Sequence, residues 1–119
     1  MDKVNLAEKF ARFDDYWSPK IAGELNGQMV KLVKLKGEFA WHKHDQEDEL
    51  FLVVKGRLRI RLRDRNVDLH EGEFFIVPRG VEHQPVAEQE VHVLLFEPAS
   101  TLNTGNIRNE KTVEQLERI

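Results

Sequence analysis

Arg57-Leu58-Arg59-Ile60-Arg61-Leu62-Arg63 alternates basic and apolar side chains without a break. Successive side chains of a β-strand point to opposite faces, so this stretch predicts a strand with Leu58, Ile60 and Leu62 inward and the arginines outward. Asp64-Arg65-Asn66 supplies the next turn, and Val67 and Leu69 continue the inward row on the returning strand. The same period extends both ways along the chain. Asn26-Gly27 is a hairpin signal, because both central residues of a type I′ turn need positive φ. It joins a strand over 21–25 to one over 28–36. Phe74–Val77 and Val91–Phe96 are further apolar runs of strand length. Many short strands parted by Gly, Pro, Asn and Asp turns favour an antiparallel sandwich or barrel over a parallel sheet.

The two ends depart from this period. Leu6, Phe10 and Phe13 recur at i, i+4 and i+7, Asn5 and Glu8 form a capping box, and Pro19 stops the element. This predicts a helix over 5–16. Beyond Pro98, Ser100–Asn109 is polar and turn-rich. Thr112 and Gln115 then resemble a second capping box, ahead of a short C-terminal helix carrying Val113 and Leu116. The expected organisation is one domain over 1–119, with a core barrel over 21–98 and a tail over 99–119.

Composition narrows the function. The 119 residues are 40% hydrophobic and 33% charged, with a net charge of −3. That fits a single folded domain and offers no electrostatic attraction to nucleic acid or an anionic membrane. The absence of cysteine excludes disulfides, thiolate metal sites and cysteine nucleophiles, and suits a reducing compartment. The opening residues carry no apolar h-region, and no stretch approaches the roughly 18 apolar residues of a membrane span. A cytoplasmic location is expected.

The chemistry concentrates at His42, His44, Glu49 and His83. His42 and His44 are i and i+2, so on a strand both imidazoles share a face. Glu49 has the wrong parity for that strand, but Asp45-Gln46-Glu47-Asp48 reads as a turn, so Glu49 can open the returning strand and face back. His83 follows the rigid turn Pro78-Arg79-Gly80 and would close the group from a distant part of the chain. Three neutral imidazoles and one carboxylate give a net charge of −1. They suit Fe(II), Mn(II), Ni(II), Cu(II) or Zn(II), and suit calcium poorly, since it prefers oxygen. An octahedral ion so held keeps two positions for water or ligand.

These residues sit in a frame of spaced glycines. Gly37, His42, His44, Glu49 and Gly56 resemble the first motif of the cupin family, with the first gap one residue short. Gly72, Pro78, Gly80 and His83 resemble the second motif at every spacing, although Ala87 stands where the family often has Asn. The resemblance runs from about 37 to 96 and is to the small single-domain cupins. It implies an all-β, antiparallel jelly-roll barrel, one divalent transition metal on His42, His44, Glu49 and His83, a small-molecule ligand and a homodimer. Dioxygenases, lyases and isomerases all occur among cupins, as do non-catalytic ligand-binding modules. A metal-independent sugar isomerase or epimerase, with His83 or His44 as general base, is a further alternative.

Other conspicuous residues have plainer readings. His70 lies in a turn and His92 on a strand, and neither is expected at the metal. The arginine row reads as a solvated face, neutralised by Asp64, Asp68, Glu71 and Glu73. Phe39, Trp41, Leu50, Leu52 and Val54 fall opposite the ligand face by parity, yet are apolar, so that face needs a cover from the N-terminal helix or a second subunit. Trp17, Trp41, Phe51, Phe75 and Phe96 are expected in the core rather than at a site.

Overall fold

The computed structural model describes residues 2–119. One helix, α1 (Leu6–Phe10), precedes seven strands: β1 (Lys20–Leu25), β2 (Gln28–Glu38), β3 (Glu49–Lys55), β4 (Leu58–Leu62), β5 (Asn66–Leu69), β6 (Phe74–Val77) and β7 (His83–Pro98). All strand pairings are antiparallel, in the order β1-β2-β7-β3-β6, with β4 joining β7 and β5 joining β4. The long β7 is the spine. Its first residues pair with β4, and its remainder runs between β2 and β3.

The alternation works as the side-chain period requires. Leu58 and Ile60 are buried while Arg59 and Arg61 are exposed, and Leu69 continues the inward row from β5. Inward residues of β2, β3 and β7 (Val33, Leu35, Phe51, Val53, Val91, Val93) join them in the main core. Asn26-Gly27 makes the β1–β2 turn with both residues at positive φ, 50° and 78°. The arginine row is ion-paired at the surface: Arg59 to Asp68, Arg61 to Glu38 and Arg63 to Glu82.

Two expectations at the ends need correction. The helix near the N-terminus has five residues rather than spanning 5–16. Asn5 caps it as expected, its side chain accepting from the Glu8 N–H at 2.9 Å, but the box is only half made, since the Glu8 carboxylate pairs with Arg12. Phe13 reaches the same apolar cluster as Phe10 from a loop, because the chain must leave the helix to bring Trp17 to the sheet, where its N–H donates to the Lys34 carbonyl. The C-terminal helix does not form. Thr112 Oγ1 accepts from the Asn109 N–H, three residues before it, and hydrogen-bonds Thr104, so it caps nothing that follows. The tail instead closes on β1, where Ile21 and residues 117–119 exchange backbone hydrogen bonds.

The outer face of β3, β7 and β6 is only partly covered. Phe10 and Phe13 pack over Leu32, Leu94 and Val54. Farther along, cross-strand neighbours Ile76, Leu50 and Phe96, and Phe74 and Leu52, stay half-buried or open. Phe96 therefore lies on this outer face and not in the core. Trp41 is also outside the core, half-buried beneath the Arg63 guanidinium at 3.8 Å.

Candidate metal centre

The site is built on a backbone contact. His42 donates its N–H to the His83 carbonyl at 3.1 Å, and His83 donates back to the His42 carbonyl at 2.9 Å. This is a hydrogen-bonded antiparallel pair, so the two residues are direct cross-strand neighbours. The rest of the loop is tied down as well. The Gly80 N–H donates to the His44 carbonyl, Phe39 donates to Pro85, and Gln84 Nε2 donates to the Phe39 carbonyl. Asp48 accepts from the Arg79 N–H, fixing the 45–48 turn against the 78–80 turn, and Glu49 then opens β3 facing inward.

These ties bring His42, His44, Glu49 and His83 together, all buried, with one donor atom from each within 4.8 Å of the others. Atoms held about 2.1 Å from a shared ion lie no more than roughly 4.2 Å apart, so a small contraction suffices to grip one. The imidazoles are oriented for it. His42 Nδ1 faces the Ala40 carbonyl and His83 Nδ1 faces the Val81 carbonyl, each at 2.9 Å. A carbonyl only accepts, so both Nδ1 atoms carry the proton and both Nε2 atoms present a lone pair.

The inward atoms have no partners of their own. His44 Nδ1 and Nε2, Glu49 Oε1 and His83 Nε2 are buried without a hydrogen bond, with Glu49 Oε1 at 3.4 and 3.3 Å from His44 and His83 Nε2. Each orphan of this kind costs roughly 1–3 kcal/mol, and a shared cation would relieve one nitrogen of each ring together with the Glu49 oxygen. Protonation leans the same way. Burial, with His83 alongside, lowers the His42 pKa to about 4, so that ring stays neutral. Burial alone would raise the Glu49 carboxyl, but a proton on His44 or His83 outweighs it and holds the group well below its usual range; with the rings neutral, a bound cation takes the place of that proton. His70 and His92 lie outside the cluster. His70 is exposed, while His92 hydrogen-bonds Glu90 and stacks on Phe10.

Three features at the site were not anticipated. Glu97 and Lys31 form a buried pair at 3.7 Å, and burial together with the Glu49 charge pushes the Glu97 carboxyl well above its usual range. Their parity was the available signal, since Glu97 continues the inward row Val91-Val93-Leu95 and Lys31 that of Val33-Leu35. The second feature is the cleft beside His42 and Glu49, which Trp17, Phe39 and Phe51 help to line. Phe39 is therefore on the site side, contrary to its parity, because the chain leaves regular strand after Glu38.

The third is the tail. Asn106 accepts from the Lys43 N–H with Oδ1 and donates its own N–H to the Lys43 carbonyl, both at 2.9 Å, bracing the residue between His42 and His44. Gly105 makes the approach possible. A Cβ there would fall 2.2 Å from the Lys43 oxygen and 3.1 Å from His42 Cδ2.

Comparison with known proteins agrees with this fold. The Cupin_2 model, described as a cupin domain, matches residues 29–97. The chain belongs to the cupin family. It is similar to a cupin-2 domain protein of Shewanella frigidimarina, with 44% identity and a TM-score of 0.79 over 80% of this chain and 93% of that one. It is also similar to protein NMB1881 of Neisseria meningitidis, with 31% identity and a TM-score of 0.76 over 82% of this chain and 100% of that one. An uncharacterized Bacillus subtilis protein, YdbB, is 36% identical over 80 residues, which span 66% of this cupin and 65% of YdbB.

Two outcomes are expected. Gly105→Ala displaces the Lys43 backbone and weakens metal uptake by tenfold or more, whereas Gly23→Ala, where φ is ordinary and an added Cβ comes no nearer than 4.0 Å to Val30, leaves uptake unchanged; metal titration of the two folded variants measures both. Glu97→Gln removes a carboxyl whose folded pKa is raised. The native state holds that proton while the unfolded chain loses it above about 4.5, so wild-type stability drains as pH rises from there. The stability of metal-free Glu97→Gln relative to wild type therefore climbs between pH 5 and pH 7.5, read by urea unfolding.

Proposed function

We propose that this cupin binds one divalent transition metal through His42, His44, Glu49 and His83, and that a small organic molecule meets the metal in the adjoining cleft. The carrying observation is the set of buried, unpartnered donor atoms aimed at one point. Fe, Mn, Ni, Cu and Zn all suit three imidazoles and one carboxylate. Bound there, such an ion supplies Lewis-acid polarisation of an oxygen-bearing ligand, or redox chemistry if it is iron, manganese or copper. The chain's own part is to present neutral imidazoles, hold Glu49 ionised and keep bulk water from the donor atoms. Simple acid–base catalysis is less well supported, since it would leave the convergence of Glu49 with three histidines without a purpose.

Protein purified without added metal is expected to carry close to one equivalent of a transition ion by elemental analysis. His42→Ala and His83→Ala should lose most of it, and His70→Ala should keep it. Folded wild-type protein that takes up no metal when offered each of the five ions would overturn the reading.

We infer in addition that the cupin pairs with a second copy through the open face of β6 and β3. Phe74 and Ile76 are 59% and 48% exposed and continue the Leu52 and Leu50 rows. The strand Phe-Phe-Ile-Val carries no charge to discourage edge pairing, and a two-fold contact would bury these rows against themselves. Sedimentation should give a dimer for wild type and a monomer for Ile76→Lys; a wild-type monomer at tens of micromolar would refute the inference.

A further inference from the structure

The cleft beside the metal ligands is small and partly open to solvent, well below the roughly 300–1,000 Å³ of drug-sized sites. Its walls come from Trp17, Phe39, Phe51, Leu35 and Leu95, with prolines and a valine completing them, and its polar residues are His42, Glu49 and Asn103. Asn103 is already spent. Its Nδ2 donates to the Trp17 and Lys111 carbonyls and its Oδ1 accepts from the Val113 N–H. The Trp17 indole N–H is spent too, on the Lys36 carbonyl at 3.0 Å. Apart from the proposed metal ligands, the walls offer no free donor or acceptor side chain to a bound molecule.

Trp17 is held there under strain. Its φ is 61°, a left-handed conformation that costs an aromatic residue energy and persists only where the surroundings enforce it. The enforcement is visible: its N–H on Lys34, its indole on Lys36, its carbonyl on Asn103, and its ring stacked on Phe39 at 4.7 Å and 16°. Lys111 Nζ sits 5.5 and 5.8 Å from the two ring centroids and donates to the Glu38 carbonyl, which fixes the pair from the tail side. The aromatic wall is thus assembled before any ligand arrives.

Resting on the metal reading above, we propose that the cleft selects a small planar, apolar ring bearing adjacent oxygen donors at one edge, with catechol as its simplest representative, and rejects polyhydroxylated sugars. The oxygens meet the metal and the carbon skeleton lies among Trp17, Phe39 and Phe51. A sugar acid offers the same chelating oxygens, but those of its remaining hydroxyls that face the apolar walls would be buried without partners, each costing about tenfold in affinity.

The test uses the full chain in a Trp41→Phe background, which leaves Trp17 as the remaining tryptophan of the two. Zinc stoichiometry is fixed first by elemental analysis, and the loaded protein is then titrated with catechol and with galacturonate, by calorimetry and Trp17 emission. Catechol should bind at least tenfold tighter and quench Trp17. Trp17→Leu, or Phe39→Leu if the first variant does not fold, should weaken catechol by roughly threefold to tenfold, the worth of one aromatic contact, at unchanged zinc content. Galacturonate binding as tightly as catechol, or catechol affinity indifferent to both variants in zinc-loaded protein, would overturn the proposal and leave the metal reading standing. A chain that takes up no zinc fails at the first step, and then the metal reading and this proposal fall together.

Discussion

The reciprocal backbone hydrogen bonds between His42 and His83 are the constraint on which the site depends. They make two donors from distant parts of the chain direct neighbours, and each residue then spends its Nδ1 on a nearby carbonyl, Ala40 for one and Val81 for the other. Backbone register therefore fixes both the spacing of the rings and the nitrogen each one presents. Few side-chain rotations remain free, and little ordering is left for a ligand or ion to impose. Glu49 arrives by the same logic, as the first inward residue of β3, after a turn locked by Asp48 and Arg79.

Placing unpaired polar atoms at the end of an apolar barrel runs against the usual rule that buried polar groups find partners. The surroundings deepen the conflict, for Lys31 and Glu97 are buried immediately behind Glu49. Two carboxyl groups this close do not both ionise readily, and the directions of their shifts divide the roles: Glu49 charged, Glu97 protonated. A sequence that tolerates such local cost at one point, while satisfying pattern, turns and packing elsewhere, is organised around that point.

Much of this was legible in the sequence because the governing rules are local. A two-residue period reads directly as strand, Asn26-Gly27 as a hairpin and Asn5 with Glu8 as a helix cap, and each is found. The four clustered side chains were legible because spaced glycines and a proline fix the turns that carry them. What failed was reasoning from period beyond regular structure. Phe39 was placed by parity, but the strand ends at Glu38 and its ring turns into the cleft. Thr112 had the right spacing for a cap, yet its hydroxyl bonds backward to Asn109 and across to Thr104. Trp17 was expected in the core and its ring does join it, but its place in the cleft wall was not legible, since a left-handed aromatic is decided by tertiary contacts and no local propensity announces it.

The brace from Gly105 and Asn106 has a bearing on where this domain ends. The region matched as a cupin domain stops at residue 97, yet the peptide joining two of the proposed ligands is held by residues from beyond it, and the aromatic wall owes Trp17 to a segment before it. A fragment trimmed to the matched region would retain all four donor side chains and most of the sheet. It would surrender the parts that stiffen the donor loop and shape its approach. In this cupin the segments flanking the barrel are where proteins sharing the same donors can part company in what they admit.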